Sequence, residues 1–115
     1  DDQQTLVLAQ VWGCKPKRGD VILIKEPSDE SKILVKRLTA MEGDNVRFQK
    51  WKFGQDKQQV TVKIPPGHVW IEGDNAPVSY DSRQFGPVPA ALIQGKVFFQ
   101  FWPPKKAGWV HNKIP

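Results

Sequence analysis

The sequence predicts an all-β, mostly antiparallel domain, and three observations carry that reading. The apolar runs are short, turn-forming residues interrupt them about every ten positions, and no stretch keeps helical periodicity beyond two turns. At 115 residues the chain is one domain by length, and 39% hydrophobic with 25% charged residues is a globular composition rather than a disordered one. Five Trp and six Phe supply the bulk for a small core.

The elements follow in order. "TLVLAQVW" (5–12) reads as a first strand, and the basic turn "GCKPKRGD" follows it. "VILIKE" (21–26) is a second strand closed by "PSDES", and "KILVKRLTAM" (32–41) is a long third strand ended by "EGDN". "VRFQKW" (46–51) and "QVTVKI" (59–64) form a hairpin with "KFGQDKQ" as its tip. "PPG" leads into the strand "HVWIEG" (68–73). "PAALIQG" (89–95) is expected to be the one short helical turn, before a last strand, "KVFFQFW" (96–102), that "PP" stops. A core over 1–104 and a C-terminal tail over 105–115 complete the organisation. That tail has one buriable residue, Trp109, and is expected to be partly loose.

Composition excludes several classes. A lone cysteine, Cys14, allows no internal disulfide framework and no thiolate metal site. His68 and His111 have no partner at ligand spacing, so no metal and no cofactor is expected. The net charge of +5 is scattered over small clusters such as Lys15/Lys17/Arg18 and Lys50/Lys52. There is no basic helix and no RNA-binding motif, so these read as solvated faces and no nucleic acid partner is expected. No apolar run approaches the roughly 20 residues of a membrane span, and the N-terminus does not resemble a signal peptide. The first residue is not Met, which suggests a processed or trimmed product.

Two features could do chemistry. Lys36 lies in "KILVKRL", where strand alternation puts it on the face of Leu34 and Leu38, with Arg37 on the other. A lysine in apolar surroundings loses pKa, because desolvation disfavours its charged form, and a neutral amine is a usable general base. On this feature alone, an edge-strand lysine snorkelling to water is the ordinary reading. The second feature is "EGDNAPVSYDSRQFGP" (72–87), which gathers Asp74, Ser79, Asp81, Ser82 and Arg83 in one turn-rich stretch. Alone it is a well-made turn. Beside a desolvated lysine it becomes a supporting frame.

"VKRLTAMEGD" (35–44), "GHVWIEGDNAPVSYDSRQFGPVP" (67–89) and "RGDVILIKEP" (18–27), in that family's order along the chain, resemble the type I signal peptidases. Those enzymes use a Ser/Lys dyad on a mostly antiparallel β fold related to that of the LexA-like self-cleaving repressors. "IPPGHVWIEGDN" and "GKVFFQFWPP" look most like the mitochondrial inner membrane peptidase, the "WPP" ending leaning toward its second subunit type. The resemblance implies that Lys36 is the general base and that Ser79 orients it. It implies that Asp81 and Arg83 are an ion pair bracing the site, with Asp74 the acid of "GDN". Strand 33–38 would wall the substrate groove, through Ile33, Leu34, Val35 and Leu38.

The family's G-x-S-M-x-P nucleophile box has no match here. Ser28, Ser31, Ser79 and Ser82 are the only serines, and none precedes a Met. The expectation is therefore a piece that starts after the serine box and the membrane anchor, and that is inactive alone. The implied activity is removal of sorting presequences from proteins bound for the intermembrane space. The expected partners are those substrates, a sister subunit and, through the absent anchor, the inner membrane. The rival readings are a bacterial or other organellar signal peptidase, a self-cleaving repressor, and an inactive scaffold subunit or basic binding module.

Overall fold

Strand β2 (Val21–Glu26) stands at the centre of the molecule, paired with β3 (Asp29–Met41) on one side and β8 (Ile93–Trp102) on the other. Its near-continuous apolar run suits that place, because a strand covered on both sides has little need of polar positions; Ile22 and Ile24 are fully buried. The structure, a computed structural model, describes residues 6–11, 13, 15–52, 56–74, 80–102 and 107–112. The main sheet runs β1 (Leu6–Gln10), β8, β2, β3, β6 (His68–Glu72), β7 (Val88–Pro89), with β9 (Gly108–Trp109) also on β8. A separate two-stranded sheet pairs β4 (Asn45–Lys52) with β5 (Asp56–Lys63). Every pairing is antiparallel. Among the described residues no helix is long and apolar enough to cross a membrane.

An irregularity in β3 gives the domain two cores. Leu38 pairs with Ile71, but the next pair is Ala40 with Trp70, so Thr39 is an extra residue that shifts the phase of the strand. Leu38 therefore joins Ile22, Ile24, Val69, Ile71 and Val88 on one face, while Ala40 joins Trp70 and Ile64 on the other. The β4–β5 hairpin covers the second cluster with Val46, Phe48 and Val62. Phe48 meets Trp70 with ring centroids 5.0 Å apart. The turn into β4 needs Gly43, which stands at φ +85°, a backbone region costly for residues with a Cβ.

The expected strands occur in the expected order, but two short strands, β7 and β9, were not expected, and several element ends differ. β3 starts at Asp29, so the "PSDES" turn shrinks to Pro27–Ser28, and Ser31 bonds the Asp29 carboxylate within the strand. The expected helical turn is a 3-10 turn at Ala90–Leu92, and a second single turn, α1, occupies Ser82–Phe85. Asp81 caps α1 and Gln84 reaches back to the Asp81 N–H at 2.8 Å, a reciprocal cap whose D-x-x-Q signature is readable in the sequence. The hairpin tip 53–55, the "PP" at 103–104 and Cys14 lie outside the described residues.

Within the tail expected to be partly loose, residues 107–112 are held in place. Arg37 donates to the His111 carbonyl at 3.0 Å, and Asn112 Nδ2 donates to the Arg18 carbonyl and to Asp20 Oδ1, both at 2.7 Å. Polar anchorage, not apolar burial, holds this segment, since Trp109 is 69% exposed although it packs on Phe98 and Phe99.

Candidate active site

Lys36 projects from β3 opposite Ile22 of β2, on the face that carries Leu34 and Leu38 into the first core. Strand alternation placed it there, and the apolar company is as the sequence implied. Burial is the main force on its amine and pushes the pKa below the ordinary lysine value. The Asp81 carboxylate opposes that shift and the Arg83 guanidinium adds to it. Lys36 thus faces the Asp81–Arg83 pair, brought from 45 residues along the chain by the β3–β6 pairing.

Asp81 is completely buried, a costly place for a carboxylate unless its oxygens are filled. They are filled. Oδ1 accepts from the Arg83 N–H and Nε, each at 3.0 Å, and Oδ2 accepts from Arg83 Nη2 and from the Gly73 N–H at 2.8 Å. Donating to Asp81 holds the Arg83 pKa above its ordinary value. Ser82, also fully buried, accepts the Ile71 N–H at 2.9 Å and so stitches α1 to β6. Asp81 and Ser82 thereby fix the 80–85 segment rigidly beside Lys36.

Arg37, the next residue, points to the other face and is nearly buried. Its Nε and Nη2 meet Asp74 Oδ1 and Oδ2 at 2.9 and 3.0 Å, while Nη1 donates to the Gly19 carbonyl at 2.6 Å and to that of His111. This pairing gives the Asp74 carboxylate a definite partner that spacing alone did not reveal. The strand context held one hint: an arginine among Leu and Val residues needs a buried acceptor.

Asp20 adds a second anchor behind the site. It is buried, and burial alone would raise its carboxyl. Hydrogen bonds from Asn112 and the Lys17 N–H, with Lys96 at 3.6 Å, outweigh that and hold it below the ordinary carboxylate range. Asp20 and Asn112 carried no signal in the sequence, because their meeting depends on the chain's return across 92 residues.

Of the expected groove residues, Leu38 lines a cavity of about 270 Å³ together with Val11, Met41, Val69, Ile93 and Gly95. Leu34 packs on the same core face, Val35 lies opposite Leu23 on the other, and Ile33 is 49% exposed. Ser79 falls within 75–79, outside the described residues. The cluster at Lys36 is thus an amine in apolar surroundings, beside a fully bonded ion pair. It can take up a proton.

The family model for "Signal peptidase, peptidase S26" matches residues 3–60 and 47–102. The chain belongs to that family. It is 46% identical over 90 residues to the mitochondrial ATP-independent inner membrane protease subunit 1a of Arabidopsis thaliana, covering 78% of this chain and 53% of that one. It is 36% identical over 111 residues to the mitochondrial inner membrane protease subunit 2 of Schizosaccharomyces pombe, covering 96% of this chain and 59% of the relative. A signal peptidase I from Enterococcus faecalis V583 superposes with a TM-score of 0.59 at 25% identity, over 71% of this chain and 96% of that one. The fold is therefore the signal-peptidase fold the sequence resembled. The chain spans little more than half the length of the curated relatives it matches.

Proposed function

We propose that this chain is the lysine-bearing part of a serine endopeptidase that removes sorting presequences at the mitochondrial inner membrane. The observation that carries the reading is Lys36, half-buried opposite Ile22, with its amine biased toward the neutral form by burial and by Arg83. A base of that kind needs no histidine, since a neutral amine takes a hydroxyl proton directly. In this reading the nucleophile is a serine upstream of residue 1. Its Oγ bonds to the scissile carbonyl carbon as Lys36 takes the proton. The ammonium returns the proton to the leaving amine as the peptide C–N bond breaks, and a water activated by the same amine then hydrolyses the acyl-enzyme.

Asp81 and Arg83 act behind the amine, fixing its surroundings and biasing its charge, and Ser79 orients it. The cavity at Leu38, lined largely by small and aliphatic groups, suits a short apolar side chain before the cut. An extended peptide would lie along the sheet in that groove. The relatives' names support the inner membrane and a sister subunit as partner, and in this reading the site faces the intermembrane space. Identity is higher to subunit 1, but the match to subunit 2 extends over 96% of the chain and agrees with the "WPP" ending, and we assign the second type.

The test is cleavage of a presequence peptide by a protein that carries the serine segment ahead of residue 1, reconstituted with the sister subunit. Cleavage that disappears in Lys36→Met supports the proposal; cleavage that persists in that variant removes Lys36 from the mechanism.

A further inference from the structure

The charge that the sequence scatters along the chain is concentrated in space. Residues 45–63, the β4–β5 hairpin, hold five bases (Arg47, Lys50, Lys52, Lys57, Lys63) against one acid (Asp56), a net +4 of the chain's +5. The register divides them further. Val46, Phe48, Val60 and Val62 alternate on the face toward Trp70, so the opposite face is formed by the odd-numbered positions. There Arg47 pairs with Thr61, Gln49 with Gln59, Lys63 with Asn45 and Lys57 with Trp51. Neither strand has an acid at an odd position, and Arg47, Lys57 and Lys63 are exposed, as are the Gln and Thr residues between them.

We propose that this outer face of the hairpin rests on an anionic phospholipid surface. Three cations on a two-stranded ribbon, separated by neutral polar residues, suit a plane of headgroup phosphates better than one buried acidic group, because the attraction is spread rather than focused. Taking the membrane as the occupant rests on the inner-membrane location proposed above; the binding itself does not depend on peptidase activity. The hairpin would then set the height of the domain, and so of the Lys36 groove, above the bilayer.

Sedimentation of this chain with vesicles tests it. We expect binding to phosphatidylcholine vesicles containing phosphatidylglycerol, little to phosphatidylcholine alone, and a steep fall with added salt. The variant Arg47→Gln/Lys57→Gln/Lys63→Gln should lose at least about tenfold in partitioning, at about one charge's contribution per residue removed. The variant Lys15→Gln/Lys17→Gln/Lys32→Gln, with the same net charge and exposed sites elsewhere, should keep partitioning within a few-fold. Thermal melts of both variants check that they fold. Absence of binding, equal losses in the two variants, or tighter binding to a single-stranded oligonucleotide than to the vesicles at the same salt would each overturn the proposal. A peptidase that cleaves normally but shows no vesicle binding would overturn this proposal and leave the catalytic one standing.

Discussion

Arg37 and Asp74 form a two-point ion pair, Nε to Oδ1 at 2.9 Å and Nη2 to Oδ2 at 3.0 Å, one residue beyond the lysine that faces the other side of the same strand. The pair is asymmetric: the Arg37 side chain is 10% exposed and that of Asp74 56%. Arg37 also ties in the Gly19 and His111 carbonyls, so a single guanidinium joins β3, the turn before β2, the "GDN" turn and the tail. Replacing it by lysine keeps the charge but loses the fork, and strands two carbonyls and a carboxylate. We expect Arg37→Lys to cost about 2–4 kcal/mol in denaturant unfolding. A cost below about 0.5 kcal/mol would show that the contacts are dispensable.

Asp81→Ala removes a buried acceptor of four hydrogen bonds and leaves Arg83 and the Gly73 N–H unpaired. The expected loss is about 3–5 kcal/mol, in the range for breaking one side of a buried pair. Chemical denaturation measures it directly.

The two members of that pair should move Lys36 in opposite directions. Arg83→Gln removes a positive charge that lowers the lysine pKa, so that pKa rises. Asp81→Asn removes a negative charge that raises it, so the pKa falls further. In the assembled peptidase, rate should rise with pH as Lys36 loses its proton. The acid limb should shift to higher pH in Arg83→Gln and to lower pH in Asp81→Asn. Shifts of the same sign in both variants would show that the pair acts only on stability.

Lys36 should be a liability to the fold. Its folded pKa lies below the unfolded value, so the unfolded state binds the proton more readily, and stability rises with pH between the two values. Lys36→Met, which fills similar space without the charge, should therefore leave Tm unchanged or raise it by up to about 4 °C at neutral pH. The gap between the two proteins should narrow as pH rises. Paired melts in neutral and alkaline buffer check both points.

Gly95 is needed for close approach rather than for a special backbone angle. A Cβ there would stand 2.9 Å from the Gln10 carbonyl oxygen, a backbone atom that cannot swing aside. Gly95→Ala should cost about 1–3 kcal/mol by forcing β1 from β8. Amide exchange over 6–10 should accelerate along with the loss.

The fold was readable where one physical rule decided the outcome. β2 and the Lys36 side of β3 follow from apolar content and period-two alternation, and the antiparallel order follows from short runs with turn chemistry between them. Alternation stopped being a guide at Thr39, because the extra residue that shifts Ala40 to the second core depends on where β6 pairs. The α1 turn was missed, although Asp81 and Gln84 carry the pattern of a reciprocal cap. The residues behind the site were not readable. Asp20 and Asn112 meet only in the folded chain and look like ordinary surface residues in the string of letters, while the place of Arg37 among Leu and Val gave only a hint of its acceptor. The hold on 107–112 was hidden for the same reason: it combines the β9–β8 pairing with hydrogen bonds that tie His111 to Arg37 and Asn112 to Arg18 and Asp20, not an apolar face.

The most direct measurement is the titration of Lys36 by NMR of its side chain in this chain, with the exposed lysines as internal references. The account requires a pKa below that of the exposed lysines, rising in Arg83→Gln. Titration of Lys36 together with the surface lysines, unmoved by Arg83→Gln, would contradict the claim that this fold holds a lysine ready to act as a base.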